Sequence, residues 1–422
     1  MHAKSVSVNE SPPSERGPRD VIILGAGVVG MATAYALARR GMAVTIVDRA
    51  PAAGMGASFA NGAQLSYVYT EALASPALVR QMPALLFGLD PAFRLHPSID
   101  PDQIGWLLRF LRNATGTRFT AHTLAGLELG LESRKAMHAL LERHPLPFHH
   151  RQTGKMHVYQ DANAFAAAAK MVEIKRQHGA VQSMVSETEA RDMEPALAAR
   201  PERFAGAIVS PQEEIGDPHL FCASLCDILV RDYAVQCRFG ATVKAVRHDG
   251  DAVQLTFDNG DMLSADHLVV CAGIAASQLI KPLAIRSPLL GMKGYSFNAP
   301  PGHAAPVHSI TDVARKLVFC QLGDSIRVAG LAELGRRDSE IVPARLAALK
   351  ASAKASLPEA ADYERASSGW AGIRPMSPSS LPDIRTVNRR LSINIGHGML
   401  GWTFAMGSAE RVADSILRGG EA

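Results

Sequence analysis

The stretch VIILGAGVVGMATAYALARRGMAVTIVD, running from Val21 to Asp48, decides the fold. Val21-Ile22-Ile23-Leu24 is a continuous apolar run rich in β-branched residues, the pattern of a strand buried on both faces. It leads directly into Gly25-Ala26-Gly27-Val28-Val29-Gly30, a G-x-G-x-x-G turn, and then into helix-forming Met31 to Ala38. Arg39 and Arg40 suit the negative end of that helix, and Gly41 its C-terminal cap. Ala43 to Val47 reads as a second strand that ends on Asp48. In such a unit one glycine permits the tight turn, and the second lets a pyrophosphate approach the backbone. The third lets helix and strand pack closely, with the helix N-terminus facing the phosphates. Asp48 stands where an acid binds a ribose hydroxyl and repels a 2′-phosphate. Strand, helix, second strand and acid all fall in order, so the reading is a dinucleotide site. By length alone the uncharged run Val21–Ala38 is a marginal membrane span. Three glycines and a following strand account for it better.

Around this unit the chain is ordinary for a globular protein. It has 422 residues, 47% hydrophobic and 20% charged, which excludes wholesale disorder, a collagen-like structure and a cysteine scaffold. The balance of 44 basic against 40 acidic residues is too even for nucleic acid as the main partner. Five scattered cysteines fit a reducing compartment. Residues 1–19 are polar and read as a flexible tail without a signal-peptide run, so a cytoplasmic location is expected.

Three features favour FAD over NAD. Small residues follow the acid, from Gly54 to Gly62, and such a loop can run beside a flat ring system. Strands are expected at Thr242–Arg247, Val253–Phe257 and His267–Val270, with a hairpin turn at Asp258-Asn259-Gly260. That β-excursion returns to the sheet at Cys271-Ala272-Gly273, as in flavin-type variants of the fold. A second G-x-G-x-x-G, Gly396-His397-Gly398-Met399-Leu400-Gly401, follows a strand at Leu391–Ile395 and opens a helix from Trp402 to about Arg418. No strand or acid follows it, so its use is a helix N-terminus aimed at the anionic edge of a reduced flavin.

The fingerprint, Ser58-Phe59-Ala60-Asn61-Gly62-Ala63-Gln64, Met292-Lys293-Gly294-Tyr295-Ser296, Trp370-Ala371-Gly372-Ile373-Arg374-Pro375-Met376 and Gly396–Trp402 together resemble the D-amino acid dehydrogenase small-subunit type. This is a branch of the D-amino acid oxidase-like FAD-dependent oxidoreductases, and the resemblance runs from about residue 20 to 418. It implies an α/β fold, with a glutathione-reductase-type FAD-binding Rossmann domain interwoven with an antiparallel-sheet substrate domain. The expected segments are 20–75, 215–285 and 371–422 for FAD, and 76–214 and 286–370 for substrate. It further implies oxidation of the Cα–N bond of a D-amino acid, with electrons passed to a quinone or respiratory chain. Relatives of similar sequence take secondary amines (D-proline or hydroxyproline types, opines, N-substituted glycines), and a non-catalytic FAD-binding subunit is a third reading. Two departures motivate that last reading: Ser379 stands where an Asp is usual, and Arg385 where a glycine is usual.

Cofactor contacts are expected from Gly25, Gly27, Val28, Val29, Gly30, Asp48, Arg49, Ser58, Asn61, Gly62, Ala63, Gln64, Val243, Ala272, Gly273, Gly372, Gly398, Met399, Leu400, Gly401 and Trp402. Non-covalent FAD is expected, because no cysteine lies close in sequence to the flavin-side motifs. The resemblance gives Arg374 to the substrate carboxylate, a role suited to a planar guanidinium; a structural salt bridge is its alternative. Tyr295 is either a second carboxylate ligand or a core tyrosine. Tyr67 and Tyr69 line the pocket or pack. His397 and Gln64 either touch flavin or substrate or hold the local backbone. Glu213-Glu214 reads as solvated loop acids before an Asp217 N-cap. His144, His149, His150 and His157 lack metal-site spacing, and no metal is expected. Cys222 and Cys226 read as a buried helical pair. Amphipathic Ile104 to Arg112 is a core helix or a membrane-surface helix, which would suit a peripheral enzyme on the inner membrane face. The oligomeric state is open.

Overall fold

The computed structural model describes residues 19–249 and 252–418, so all of the expected tail but Arg19 lies outside them. The opening unit is present as strand Asp20–Leu24, helix Val28–Ala38 and strand Ala43–Val47. Every residue of that helix except Val29 is buried, which explains its lack of a polar face. The sheet covers it on one side. Helices Pro218–Tyr233 and Gly401–Leu417 cover it elsewhere, with Tyr35, Phe221, Cys222 and Met406 in one apolar cluster.

The first strand sits inside a six-stranded sheet ordered Asp383–Asn388, Leu391–Ile395, His267–Val270, Asp20–Leu24, Ala43–Val47, Gln236–Arg238. All its pairs are parallel except the first. The sheet therefore draws strands from the beginning, middle and end of the chain. The expected β-excursion forms a separate antiparallel sheet of Val243–Asp249, Ala252–Phe257 and Met262–Ala265.

The second body is a nine-stranded, mainly antiparallel sheet. Its path is Trp370–Met376, Leu290–Ala299, Ser325–Leu334, Leu317–Leu322, Ser309–Asp312, Lys155–Tyr159, Gly206–Ser210, Ser183–Val185, with Phe93–Leu95 beside Ser325–Leu334. Trp370–Met376 is hydrogen-bonded along Leu290–Ser296. The expected FAD segment beginning at 371 is corrected accordingly: the arginine strand belongs to the substrate-side sheet.

Alternation gives this sheet two unlike faces. Tyr295 and Phe297 pack with Val328, Leu346 and Leu349 beneath helix Pro343–Ser356. Ser296 faces the other way and donates from Oγ to the Ala60 carbonyl. That second face meets the loop following Asp48.

Candidate functional site

The first glycine turn is built by close approach. Gly25 has φ +114°, and a Cβ there would lie 2.5 Å from the Cys271 carbonyl oxygen. At Gly30 a Cβ would lie 1.7 Å from the Gly25 oxygen, so only glycine fits. A Cβ on Gly27 would meet only Ser58 Oγ, at 3.3 Å, and Ser58 accepts from Val28 N–H at 3.1 Å. Asp48 is oriented by two backbone amides, Ala26 N–H at 2.7 Å and Ala50 N–H at 2.8 Å. Its main-chain N–H and carbonyl reach Arg238 and Ala241, which brings the start of strand Val243–Asp249 to the same end of the site. Ala272 and Gly273 follow Cys271 beside Gly25. Arg49 is exposed.

From Ala60 the chain crosses the inner face of the large sheet. Gly62 lies against Val318 and Ala329, and Cys320 Sγ donates to its carbonyl at 3.2 Å. Asn61 Oδ1 accepts from Ala63 N–H at 2.8 Å, an Asx-turn that holds Ala63 at φ +58°. The Gln64 amide bonds to Ser309, and Gln64 pairs through its backbone with Ile215. Asn61 and Gln64 thus shape the loop. Cys320 does lie against this loop, contrary to the reading from chain spacing, but burial pushes its thiol up to about 11 and keeps it protonated.

Residues 66–71 are a strap held by buried charges. Ser66 N–H donates to Thr403 Oγ1 at 2.9 Å, and Lys155 Nζ donates to Ser66 Oγ at 2.7 Å. Glu213 accepts from Tyr67 and Val68 N–H at 2.6 and 2.8 Å. Lys175 Nζ donates to the Val68 carbonyl at 2.8 Å and to Glu71 at 2.6 Å. Glu213 and Glu214 are both 1% exposed, so the solvated-acid reading is corrected. Each carboxylate is buried with its own partners: Glu213 with the strap amides, Glu214 with His138, His150 and Tyr67. Desolvation raises Glu213 to about 7 against the pull of Lys155, and lowers Lys155 to about 8.

Arg374 is the decisive group. It keeps some accessible surface, yet dense packing and lost hydration push its guanidinium down to about 10. No acid or hydrogen-bond acceptor pairs with it among the described residues. Its guanidinium lies over Gly294, where a Cβ would meet Nη1 at 2.3 Å. Gly294 pairs with Gly372, whose Cα is covered by the Trp370 indole at 2.1 Å from a would-be Cβ. Both glycines make room for large side chains on one face, and Gly372 is reassigned from cofactor contact to seat of Trp370. A partly buried cation left without a partner is costly.

Other expected residues land elsewhere. Tyr295 lies on the opposite face from Arg374, in the core under helix Pro343–Ser356, with its hydroxyl unpartnered, so it is not a carboxylate ligand. Tyr67 is 1% exposed, hydrogen-bonded to Glu214 at 3.0 Å and packed with Phe148 and Trp402, so it does not line the pocket. Tyr69 instead stacks on His157 with ring centres 3.7 Å apart, its ring 4.7 Å from Lys155 Nζ. Trp402 donates to the Gly216 carbonyl at 3.1 Å within an aromatic cluster with Phe148 and Phe221, and is a structural anchor. His397 is buried and bonds Ser408 at 3.0 Å, and desolvation holds it down to about 3. Cys226 sits 3.6 Å from Cys237, while Cys222 packs against Gly54. Among the described residues no group of three His, Cys, Asp or Glu side chains is arranged to hold a metal.

The second glycine turn places Gly398–Leu400 in a short 3-10 turn before helix Gly401–Leu417. Met399 and Leu400 line a small cavity with Met376, two residues beyond Arg374. The unexpected Ser379 and Arg385 are accommodated. Ser377 and Ser379 hydroxyls bond the Leu381 carbonyl, Ser380 accepts from Leu73 N–H, and Arg385 pairs with Asp383.

A family model of FAD dependent oxidoreductases, the DAO family, matches residues 20–415. The chain belongs to this family. It is 39% identical over 409 residues to a D-amino acid dehydrogenase 2 of Ralstonia nicotianae, covering 94% of this chain and 96% of that one. It is 37% identical over 402 residues to a D-amino acid dehydrogenase 2 of Pseudomonas aeruginosa, covering 94% and 95%. The glycine oxidase of Geobacillus kaustophilus shares the fold, with TM-score 0.72, 19% identity and 94% of each chain covered. The family's cofactor suits the residues present: a cradle in which Gly25 and Gly30 leave no room for a Cβ, an oriented Asp48, and a loop of small residues pressed against the large sheet.

Proposed function

We propose that this FAD-dependent enzyme oxidises the Cα–N bond of a D-amino acid and holds FAD non-covalently. The observation that carries the reading is Arg374, a guanidinium without a partner among the described residues, on the strand whose Met376 pairs with His397 of the second glycine turn. It supplies bidentate donors for the substrate carboxylate. FAD, when bound, supplies the two-electron acceptor for the hydride that leaves Cα. Gly25, Gly27, Gly30, Asp48 and Ser58 would hold its diphosphate and ribose; Gly62, Ala63 and Gly398 to Gly401 would hold its ring. The D configuration follows the named relatives. The test is anaerobic: purified yellow protein should bleach with a D-amino acid. A broad panel that leaves the flavin oxidised defeats the proposal, and bleaching only by secondary amines moves the substrate class.

The acceptor we propose is a membrane quinone, reached at the membrane surface. Phe87 is 81% exposed, Leu89 73% and Ile99 95%, and Ile104, Leu108 and Leu111 form an outward stripe on helix Pro101–Asn113. Nearby Arg80, Arg109 and Arg112 are exposed without acid partners among the described residues, whereas Asp90, Asp100 and Asp102 are paired with Lys316, Arg337 and Lys281. Apolar side chains among unpaired arginines match an anionic lipid surface. The same helix donates from Trp106 Nε1 to the Met376 carbonyl at 2.8 Å, beside Arg374. No described helix is long and apolar enough to cross a membrane. Co-sedimentation with phosphatidylglycerol vesicles should fall when Phe87 and Leu89 become serine; equal binding by the variant excludes this surface.

A further inference from the structure

The cavity behind the flavin-side turn has about 20 Å3 of space, enough for a bridging water, and is lined by Thr70, Glu71, His122, His397, Met399 and Leu400 among others. Two polar atoms of its lining residues are buried and have no hydrogen-bond partner: Glu71 Oε2 and His122 Nδ1. The other Glu71 oxygen accepts from Lys175 Nζ at 2.6 Å, which fixes the carboxylate on the strap. His122 is half-buried on helix Gly116–Arg143 and so connects the cavity with the surface. Orphaned buried polar atoms on residues that line a water-sized space favour a bridged polar path over plain packing.

The proposed reaction needs such a path. A D-amino acid arrives with its nitrogen as an ammonium. Before Cα can give up its hydride, that nitrogen must lose one proton, so that its lone pair can form the C=N bond. The two electrons leave with the hydride to the enzyme's FAD, the product is the iminium, and one proton remains to be carried off. His397 is 3% exposed and engaged with Ser408, so it offers no way out to solvent. We infer that Glu71 and His122, bridged by water in this cavity, form the route by which the substrate's ammonium proton reaches solvent. This rests on the amino-acid-oxidising reading above.

The groups facing Glu71 are Lys175 from helix Ala162–Arg176, Lys155 and Tyr159 from the sheet, and Tyr69 from the strap, with His122 and His397 across the cavity. Lys155, Lys175 and Arg374 bring positive charge to this region, and positive charge favours loss of the ammonium proton. Burial and Arg118 lower His122, which favours release of a proton from its ring to solvent.

The test compares Glu71→Gln with the parent enzyme, both loaded with FAD. Anaerobic flavin reduction by a D-amino acid at neutral pH should slow about 100-fold. The acid limb of kcat/KM should move to higher pH, with the rate recovering as the substrate amine titrates by itself. A readout without turnover is the binding of 2-aminoisobutyrate, which has the carboxylate and ammonium but no Cα hydrogen. In weak buffer with an indicator, the parent should release about one proton per site and E71Q much less. His122→Ala should lose rate and regain it with added imidazole. If E71Q loses FAD, the E71Q/Lys175→Met double variant removes the stranded charge and carries the same measurements. An unchanged pH profile with unchanged proton release overturns the relay. A parent enzyme whose flavin no D-amino acid reduces defeats the functional reading instead, which separates the two failures.

Discussion

The molecule contains the same six-residue pattern twice, and the two copies work differently. Gly25–Gly30 passes from a strand straight into a helix that is buried almost all round. Its last glycine has no room for a Cβ at all. Gly396–Gly401 passes through a 3-10 turn first. There the strained positions are Gly396 and Gly398, at φ +81° and +56°, while Gly401 has helical torsions and a would-be Cβ 3.4 Å from that of His397. The first turn is a cradle pressed against its own strand. The second is a spacer that sets where a helix begins. A shared pattern of glycines therefore says little until the contacts of each glycine are known.

The sharpest way to break this comparison is Gly30→Ala. Its methyl would overlap the Gly25 carbonyl, so FAD retention, read as the 450-nm absorbance of purified protein, should be lost or the chain should be insoluble. Arg374→Ala comes next. It should raise the apparent substrate constant about 10- to 100-fold while FAD stays bound, and unchanged kinetics would refute the carboxylate role. Acidification should separate the turns by a different route. His397 in the second turn is held down to about 3, and His267 to about 4, both by burial. A histidine lowered on folding contributes stability above its unfolded value of about 6.5, and that contribution is lost as pH falls below it. Denaturant midpoints should therefore drop steadily from pH 6.5 towards 4, and less steeply in His397→Gln. Gly398→Ala should cost about 1–2 kcal/mol, measured by urea unfolding. Gly401→Ala should be the mildest, within about 0.5 kcal/mol either way, because helix propensity there favours alanine.

The first turn was readable because everything that defines it is local: strand, glycines, helix and acid follow one another along a short piece of chain. The parallel and antiparallel sheets were also legible in kind, through alternation and the β-excursion. Arg374 was singled out through its motif, but its lack of a partner among the described residues could not be read from any stretch of sequence. Tyr295 and Tyr67 stayed undecided between pocket and core because facing depends on register and on a neighbouring helix, not on residue type. Glu213, Lys155 and Lys175 were missed as a set because they meet the strap from about 90 to 150 positions away. Buried charges so far apart in sequence look like surface charges until the fold brings them together. The strand at Trp370–Met376 was assigned to the wrong body for the same reason: its partners lie near residue 295.

The all-round burial of helix Val28–Ala38 bears on how the protein is made. One of its covers is helix Gly401–Leu417, tied to it by Arg39 and Arg40 through Glu410 and Asp414. Its sheet gains the strand Leu391–Ile395 only when the last part of the chain is available. On the ribosome, the most apolar segment of the N-terminal region is translated first and sheltered last. Chains interrupted before residue 400 would leave the face of that helix under Gly401–Leu417 uncovered, so premature termination should yield aggregates rather than a smaller folded unit, however complete the glycine fingerprint they carry.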